Sequence, residues 1–419
     1  MFSRRSLENA AMCVVALTLS GALMRFLSSG GDTLDGDPRA EIFLVLCYLS
    51  VIAIAVIHWR WTLTALRRNL AVVALIVLSF LSTLWAQSPD LVFRRAVAVA
   101  GTTLFAVVIS IRLTSEEQLK LFRWATRIAA GLSICLLILA PHAAIASGAD
   151  GDTVRGIFNH KNHLGAAMAL GFLMEWYCPE TKRKAKLLRN VSLVAYLVLL
   201  LSSNSMTSVV ALGATLLVTY CFNFLHVRCK LPVPLLFTLV LVFAGVAMGV
   251  QDYATQMLGR SSDLTGRTEL WSFTLNMIAK RPFLGYGLSG FWMGASDETI
   301  AIEKQLHWTP IYAHNGYLEI LVSLGLVGLI LFLVVFGTGI KRILSTTQLN
   351  SLSKGTWPIA FFTFFLVHNM GECTILLQNS LEWSLCVATV ISSDALLLNS
   401  LAAAAERREA SRITVAEYA

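Results

Sequence analysis

Two segments far apart in the chain hold the residues best suited to chemistry. "RGIFNHKNHLG", residues 155–165, gathers Arg155, Asn159, His160, Lys161, Asn162 and His163 in one short stretch. "AHNGYLEIL", residues 313–321, sets His314 and Asn315 directly before an apolar run, with Glu319 close behind. Arginine presents a planar fork of donors that matches phosphate oxygens, so a cluster of such groups suits a phosphate-bearing ligand. An imidazole titrates near neutrality and is the natural base for drawing a proton from a hydroxyl group. Each residue also has an ordinary reading. A lone histidine is more often structural, and an arginine more often pairs with an acid or is simply solvated.

The elements that must position these groups are membrane helices. The chain has 419 residues, 56% hydrophobic and 14% charged, with a mean hydropathy of +0.68. Soluble domains carry about 25% charged residues, so this composition lies outside their class. A helix needs about 20 largely apolar residues to cross a bilayer. Runs of that kind recur at 9–28, 41–57, 70–86, 96–111, 124–141, 163–178, 187–203, 206–225, 232–250, 316–340, 356–371 and 380–400. Their length and Leu/Val/Ala/Ile content favour helices over the short alternating strands of a barrel. The expected fold is therefore all-α and polytopic, with twelve spans. Residues 1–250 hold spans one to nine, 251–315 form one large outer loop with short helices, 316–400 hold spans ten to twelve, and 401–419 form a tail. Arg4 and Arg5 before the first run resemble a signal peptide, but no small-residue cleavage site follows and Arg25 interrupts the run, so it is read as an uncleaved helix.

Basic residues fix the orientation. Arg60, Arg67 and Arg68, then Arg112, Lys120 and Arg123, then "ETKRKAKLLR", then Arg228 and Lys230, then Lys341, Arg342 and Lys354 all fall on alternate connections. Positive-inside bias puts that set and both termini in the cytoplasm. The outer face then carries Arg94, Arg95, Arg155, Lys161, Arg260, Arg267, Lys280 and Arg281, charge that orientation does not explain. Few acids lie near them beyond Asp150, Asp152, Asp263 and Glu269.

Within the outer loop, "SSDLTGRTELWSFTLNMIAKRP" predicts a helix capped by Asp263 or Thr265 and ended by Pro282. Trp271, Leu275 and Ile278 recur there at helical spacing, and Arg267 falls in the first turn, where free N–H groups and the helix dipole attract anions. "PFLGYGLSGF" follows as a glycine-rich turn. Ser203, Ser205 and Thr207 lie in a hydroxyl-rich outer turn able to hydrogen-bond a ligand. "DGD" at 35–37 and 150–152 reads as a flexible loop in preference to an Asp-x-Asp metal motif.

Several chemistries lack their signatures. There is no HExxH, "GLSG" does not fit a nucleophile elbow, and no P-loop Lys-Ser/Thr follows the glycines. The eight cysteines show no CxxC spacing. His160 and His163 have no third ligand, so no metal site and no cofactor are expected. Most of the net charge of +8 is assigned to topology, with the bilayer as partner and no role for nucleic acid.

"RGIFNHKNHLG", the Ser203–Ser205–Thr207 turn, "GRTELW", "RPFLGYG" and "AHNGYLEILVSLGLVGLI" occur in the order found in the O-antigen ligase/polymerase superfamily, which the chain resembles over about 155–340. The resemblance implies an inverting, metal-independent glycosyltransferase of the inner membrane, working at the periplasmic face. Its donor would be a glycan on undecaprenyl pyrophosphate, and its acceptor a sugar hydroxyl on lipid A–core (an O-antigen ligase) or on a growing glycan (an exopolysaccharide polymerase). Arg155 and Lys161 match the basic positions of the first motif, Arg267 the loop arginine and His314 the histidine before the next span. Arg267 and His314 are thus expected to be catalytic. Arg155, Lys161, Arg94, Arg95, Asn159, His160, Asn162, Ser205, Arg281 and Asn315 are expected to contact pyrophosphate or glycan. A twelve-helix transporter is the competing reading. The largest connection, between spans nine and ten, breaks the two-repeat pattern such proteins show, and few charges lie within the spans. A structural component of an export complex would leave the outer arginines idle.

Overall fold

The computed structural model describes residues 4–23, 38–148, 151–178, 180–221, 242, 245, 265–292, 297–306, 308–349 and 356–417, with side chains up to 400. Among these residues almost everything is helix, and a single two-stranded sheet is present. The helices are α1 (Arg4–Leu19), α2 (Pro38–Ile57), α3 (Trp59–Arg68), α4 (Leu70–Leu81), α5 (Pro89–Arg112), α6 (Ser115–Leu139), α7 (Lys161–Trp176), α8 (Arg183–Ser202), α9 (Met206–Cys221), α10 (Thr265–Lys280), α11 (Asp297–Leu306), α12 (Gly316–Leu349), α13 (Thr356–His368) and α14 (Leu381–Glu417). Apart from 232–250, which lies outside the described residues but for two positions, each expected span coincides wholly or in part with a helix.

Six of these helices are long and apolar enough to cross a membrane, or seven if the pair α3 and α4, bent by 92°, counts as one span. Twelve are expected; the six or seven are counted among the described residues, and the expected span 232–250 lies outside these but for two positions. Met206–Cys221 and Trp357–His368 are apolar but short. Helix α14 runs on through most of 401–419, where a tail was expected. A second departure is the hairpin β1 (Ile145–Gly148) and β2 (Gly151–Val154), which pairs Ser147 with Asp152 in a stretch read as a flexible loop. Asp150 of that "DGD", the "DGD" at 35–37 and Asp263 lie outside the described residues.

Helix α10 follows the expected bounds, but its buried face differs. Arg267, Leu270, Thr274 and Met277 are buried at helical spacing, while Leu275 is 54% exposed. Leu270 and Met277 join Tyr286, Phe291, Trp292, Ala313 and Val322 in a small apolar cluster of their own beside the main core. The "RPFLGYG" stretch closes this cluster against α12, which breaks at Gly325 (φ 64°, ψ −163°). There the amides of Leu326 and Val327 donate to the carbonyls of Pro282 and Phe283 at 2.8 and 3.2 Å. In return the amides of Tyr286 and Gly287 donate to the carbonyls of Val322 and Ser323, both at 2.9 Å. An apolar helix with a broken ladder must have its freed backbone groups satisfied by protein. The turn supplies those partners, and only glycine fits the break: a Cβ at 325 would lie 2.2 Å from the Phe283 carbonyl carbon.

Candidate functional site

Helix α7 begins where "RGIFNHKNHLG" ends. His160 is its N-cap, with Nδ1 accepting the Asn162 N–H at 3.2 Å. The cap turns Asn162 inward, where its Nδ2 donates to Glu372 Oε1 at 2.6 Å. Glu372 lies in the connection between α13 and α14, and the same oxygen stands 3.5 Å from Arg267 Nη2. Arg267 Nη1 donates to the Gly371 carbonyl at 2.9 Å. Three distant parts of the chain therefore meet at Glu372: the first motif, the loop helix and the connection between α13 and α14. Close packing allows the approach. A Cβ at Gly165 on α7 would lie 2.5 Å from the Ser205 Cβ, so the glycine lets the 203–205 turn sit against the helix.

His314 is held in a left-handed backbone conformation, φ 50°. A non-glycine residue there is strained and must be fixed from both sides. On one side the Ala313 N–H donates to Glu319 Oε2 at 2.9 Å, and the Ala313 carbonyl accepts from Trp271 Nε1 at 2.9 Å. On the other, Asn315 Oδ1 accepts the N–H groups of Tyr317 and Leu318 at 3.0 and 3.2 Å, capping α12, while its Nδ2 donates to the Met370 carbonyl at 3.2 Å. Glu319 is also bonded by Trp292 Nε1 at 2.9 Å. The His314 ring packs against Tyr312, centroids 4.5 Å apart, and Trp308, 5.9 Å. Its Nδ1 is buried and has no hydrogen-bond partner among the described residues. Burial, with Arg267, His160 and His163 nearby, brings the imidazole well below its ordinary value, to about 3. It is therefore neutral at physiological pH, with a ring nitrogen unused.

Beside this group lies a cavity of about 430 Å³. The end of α1, the start of α7, Tyr312 and residues 368–382 form its walls. Glu372 and Tyr312 are shared: each lines the cavity and each touches the Arg267–His314 group. On the far wall His368 Nδ1 and Glu382 Oε2 are 3.0 Å apart, Thr374 Oγ1 donates to the same carboxylate oxygen at 3.1 Å, and Ser208 Oγ lies 3.4 Å from His368 Nε2. Ser205 Oγ reaches the network through Ser208 at 2.9 Å.

The remaining expected residues lie as follows. Asn159 lines the cavity and is exposed. Lys161, half-buried, is the first residue of α7. Arg155 is half-buried in the turn after β2, and its Nε is buried without a hydrogen-bond partner among the described residues. Arg94 and Arg95 stand apart from the cavity: Arg94 pairs with Glu41, and Arg95 Nη1 donates to the Ser289 carbonyl at 2.5 Å. Arg95 thereby holds the turn that fills the break in α12. Arg281 stacks over the Tyr286 ring at 4.7 Å. The residues missed by sequence reasoning are Tyr312, His368, Glu372 and Glu382. "HNMGE", residues 368–372, at the edge of an apolar run was the available signal: polar side chains there are costly unless they have partners.

This geometry can be set beside known proteins. Residues 191–333 match the family model described as O-antigen ligase. The matched segment is similar to an O-antigen ligase domain. It holds Ser205, Arg267, Arg281, His314 and Asn315, whereas Arg155, Asn162, Glu372 and the His368–Glu382 pair lie outside the matched segment. The chain is 26% identical over 328 residues to the exopolysaccharide production protein ExoQ of Rhizobium meliloti, covering 72% of each chain. It is 30% identical over 180 residues, 42% of this chain and 43% of the other, to a protein of Rickettsia conorii named "Putative polysaccharide ligase". A third similarity, 36% over 80 residues, is to a protein of the same name in Rickettsia typhi and covers 18% of this chain and 20% of that one.

Proposed function

We propose that this protein, similar over residues 191–333 to the O-antigen ligase family, is an inverting, metal-independent glycosyltransferase. It would move a glycan from undecaprenyl pyrophosphate to a sugar hydroxyl at the periplasmic face of the inner membrane, with lipid A–core as acceptor. The observation that carries the reading is the proximity of a buried Arg267 to a neutral His314 whose Nδ1 lacks a hydrogen-bond partner among the described residues. His314 takes the proton of the acceptor hydroxyl. The hydroxyl oxygen bonds to the anomeric carbon from the face opposite the leaving group, and the carbon–oxygen bond to pyrophosphate breaks with its electron pair. Arg267 faces the charge that develops on the departing oxygens. Arg155 and Lys161 at the entry to α7 add to it, and Arg155 brings a buried Nε without a hydrogen-bond partner among the described residues. Fixed donors of this kind each contribute about 3–4 kcal/mol to barrier lowering, enough in combination to stand in for a metal. As the phosphates gather charge nearby, the imidazolium that forms is stabilised, so the low proton affinity of His314 in the empty site rises when it is needed.

One observation favours polymerisation as the second reading. The Rhizobium meliloti relative, matched over most of both chains, is named for exopolysaccharide production. Purified protein given lipid-linked repeat units, alone and with lipid A–core, separates the two: capped core means ligase, and a ladder without core means polymerase. Product from both Arg267→Ala and His314→Ala at the wild-type rate would overturn either version.

A further inference from the structure

We propose that the cavity beside His314 is the acceptor subsite and that it takes a neutral pyranose. Glu382, Gln378 and Asn162 would hold its hydroxyls, and its apolar face would lie against Phe158 and Tyr312. The identification as acceptor rests on the glycosyl-transfer reading above; the neutral-sugar chemistry of the cavity stands on its lining. At about 430 Å³ the space is within the range of roughly 300–1,000 Å³ that small-molecule sites occupy. Its lining pairs aromatic surface with carboxylates, amides and hydroxyls, the mixture a sugar ring with one apolar and several polar edges requires.

One of these groups lacks a protein partner. Gln378 Oε1 is buried and accepts no hydrogen bond among the described residues, although Gln378 lines the cavity. A buried acceptor left empty costs about 1–3 kcal/mol, and rotation of the Gln378 amide toward the cavity would let a ligand hydroxyl satisfy it. Charge decides the sugar's class. Glu372 and Glu382 line the cavity together with His163 and His368, but its cationic partners are already engaged: His368 Nδ1 lies 3.0 Å from Glu382 Oε2, Arg267 Nη2 lies 3.5 Å from Glu372 Oε1, and Arg267 Nη1 donates to the Gly371 carbonyl. Negative charge on the ligand would meet these two carboxylates, so a uronate or phosphorylated terminal sugar is repelled. The arrangement also divides the site. Anion-binding groups lie on the Arg267 side of Glu372 and sugar-binding groups on the other, with the His314–Tyr312 pair at the boundary.

The test uses the full-length protein in nanodiscs, with methyl β-glucopyranoside and methyl β-glucuronide as probes followed by saturation-transfer NMR. The glucoside is expected to bind at least tenfold more tightly than the glucuronide. Gln378→Ala should weaken the glucoside severalfold, and Glu382→Gln should shrink the discrimination against the glucuronide by a similar factor. Equal binding of the two probes, or glucoside binding unaltered by Gln378→Ala, overturns the proposal whether or not the Glu382 variant folds. Inorganic pyrophosphate binding, lost in Arg267→Ala and retained in Gln378→Ala, reports on the donor side. Its absence in the wild type would sink the glycosyl-transfer reading and leave the glycoside result standing.

Discussion

Helix α7 has an arginine–glutamate cluster at each end, and the two are built differently. At its C-terminal end Glu175 is fully buried. Its Oε2 accepts from Arg123 Nη2 at 2.6 Å and its Oε1 from Arg127 Nε at 2.6 Å, Arg123 Nη1 reaches Glu180 at 2.9 Å, and Arg189 Nε donates to the Glu175 carbonyl at 3.0 Å. Both carboxylate oxygens of Glu175 are engaged. At the N-terminal end Glu372 has its two side-chain contacts on one oxygen and lines a cavity, and among the described residues side-chain atoms of Arg155, His314 and Gln378 are buried without hydrogen-bond partners. The same residue types thus serve two purposes. The saturated cluster locks α6, α7 and α8 together, and the unsaturated one keeps valences for a ligand.

The sharpest way to break this contrast is to remove one arginine from each end. Arg267→Ala is expected to lower glycan transfer at least about 100-fold, the scale of one preorganised donor, while the protein still purifies as a folded monodisperse species. His314→Ala should cost about 100- to 10,000-fold on the same assay. Arg123→Ala should do the reverse. It leaves a buried carboxylate undercompensated, which costs about 3–5 kcal/mol and shows as lost folded yield in fluorescence-detected size exclusion. An Arg123→Ala protein that folds normally but fails only in transfer would collapse the distinction.

A smaller effect tests how the site is supported from a distance. Gly325→Ala places a Cβ against the Phe283 backbone and forces a non-glycine residue into a rare conformation, a strain on the order of 1–3 kcal/mol. A lowered melting temperature is expected, with transfer declining as the 282–287 turn loosens its grip on the cluster around α10. Unchanged melting would show that the turn does not rely on the break.

The smallest effect is on pH dependence. His314 is held near 3 in the folded protein, against about 6.5 in an unfolded chain. Above pH 6.5 neither state binds the proton. As pH falls from there toward 3, the unfolded state takes a proton that the folded state refuses, so stability declines across that window. The melting temperature of the His314→Gln variant should therefore fall less than that of the wild type between pH 7 and 5. Parallel curves would mean that the imbalance at His314 is absent.

The membrane character, the bounds of α10 and the candidacy of Arg267 and His314 were legible in the chain itself. Apolar run length, cap and proline signals, and residue chemistry are local properties, and each can be read without knowing what lies opposite. The same local reading misplaced Leu275, because helical periodicity says which residues share a face but not which face is covered. It gave Arg94 and Arg95 the same standing as Arg155, because the partners Glu41 and Ser289 lie about 50 and 200 positions away. It passed over Glu372, His368 and Glu382 because a carboxylate in a short connection looks like any solvated acid until something basic is folded against it.

Sequence alone determined that this is a polytopic helical protein with a basic motif, a loop-helix arginine and a histidine at a helix mouth. Tertiary structure decided which cations are already spent and which polar atoms remain open. Pairing is a property of residues brought together from across the chain, and the cost of burying an unpaired group, which marks the site, exists only once the chain has closed around it.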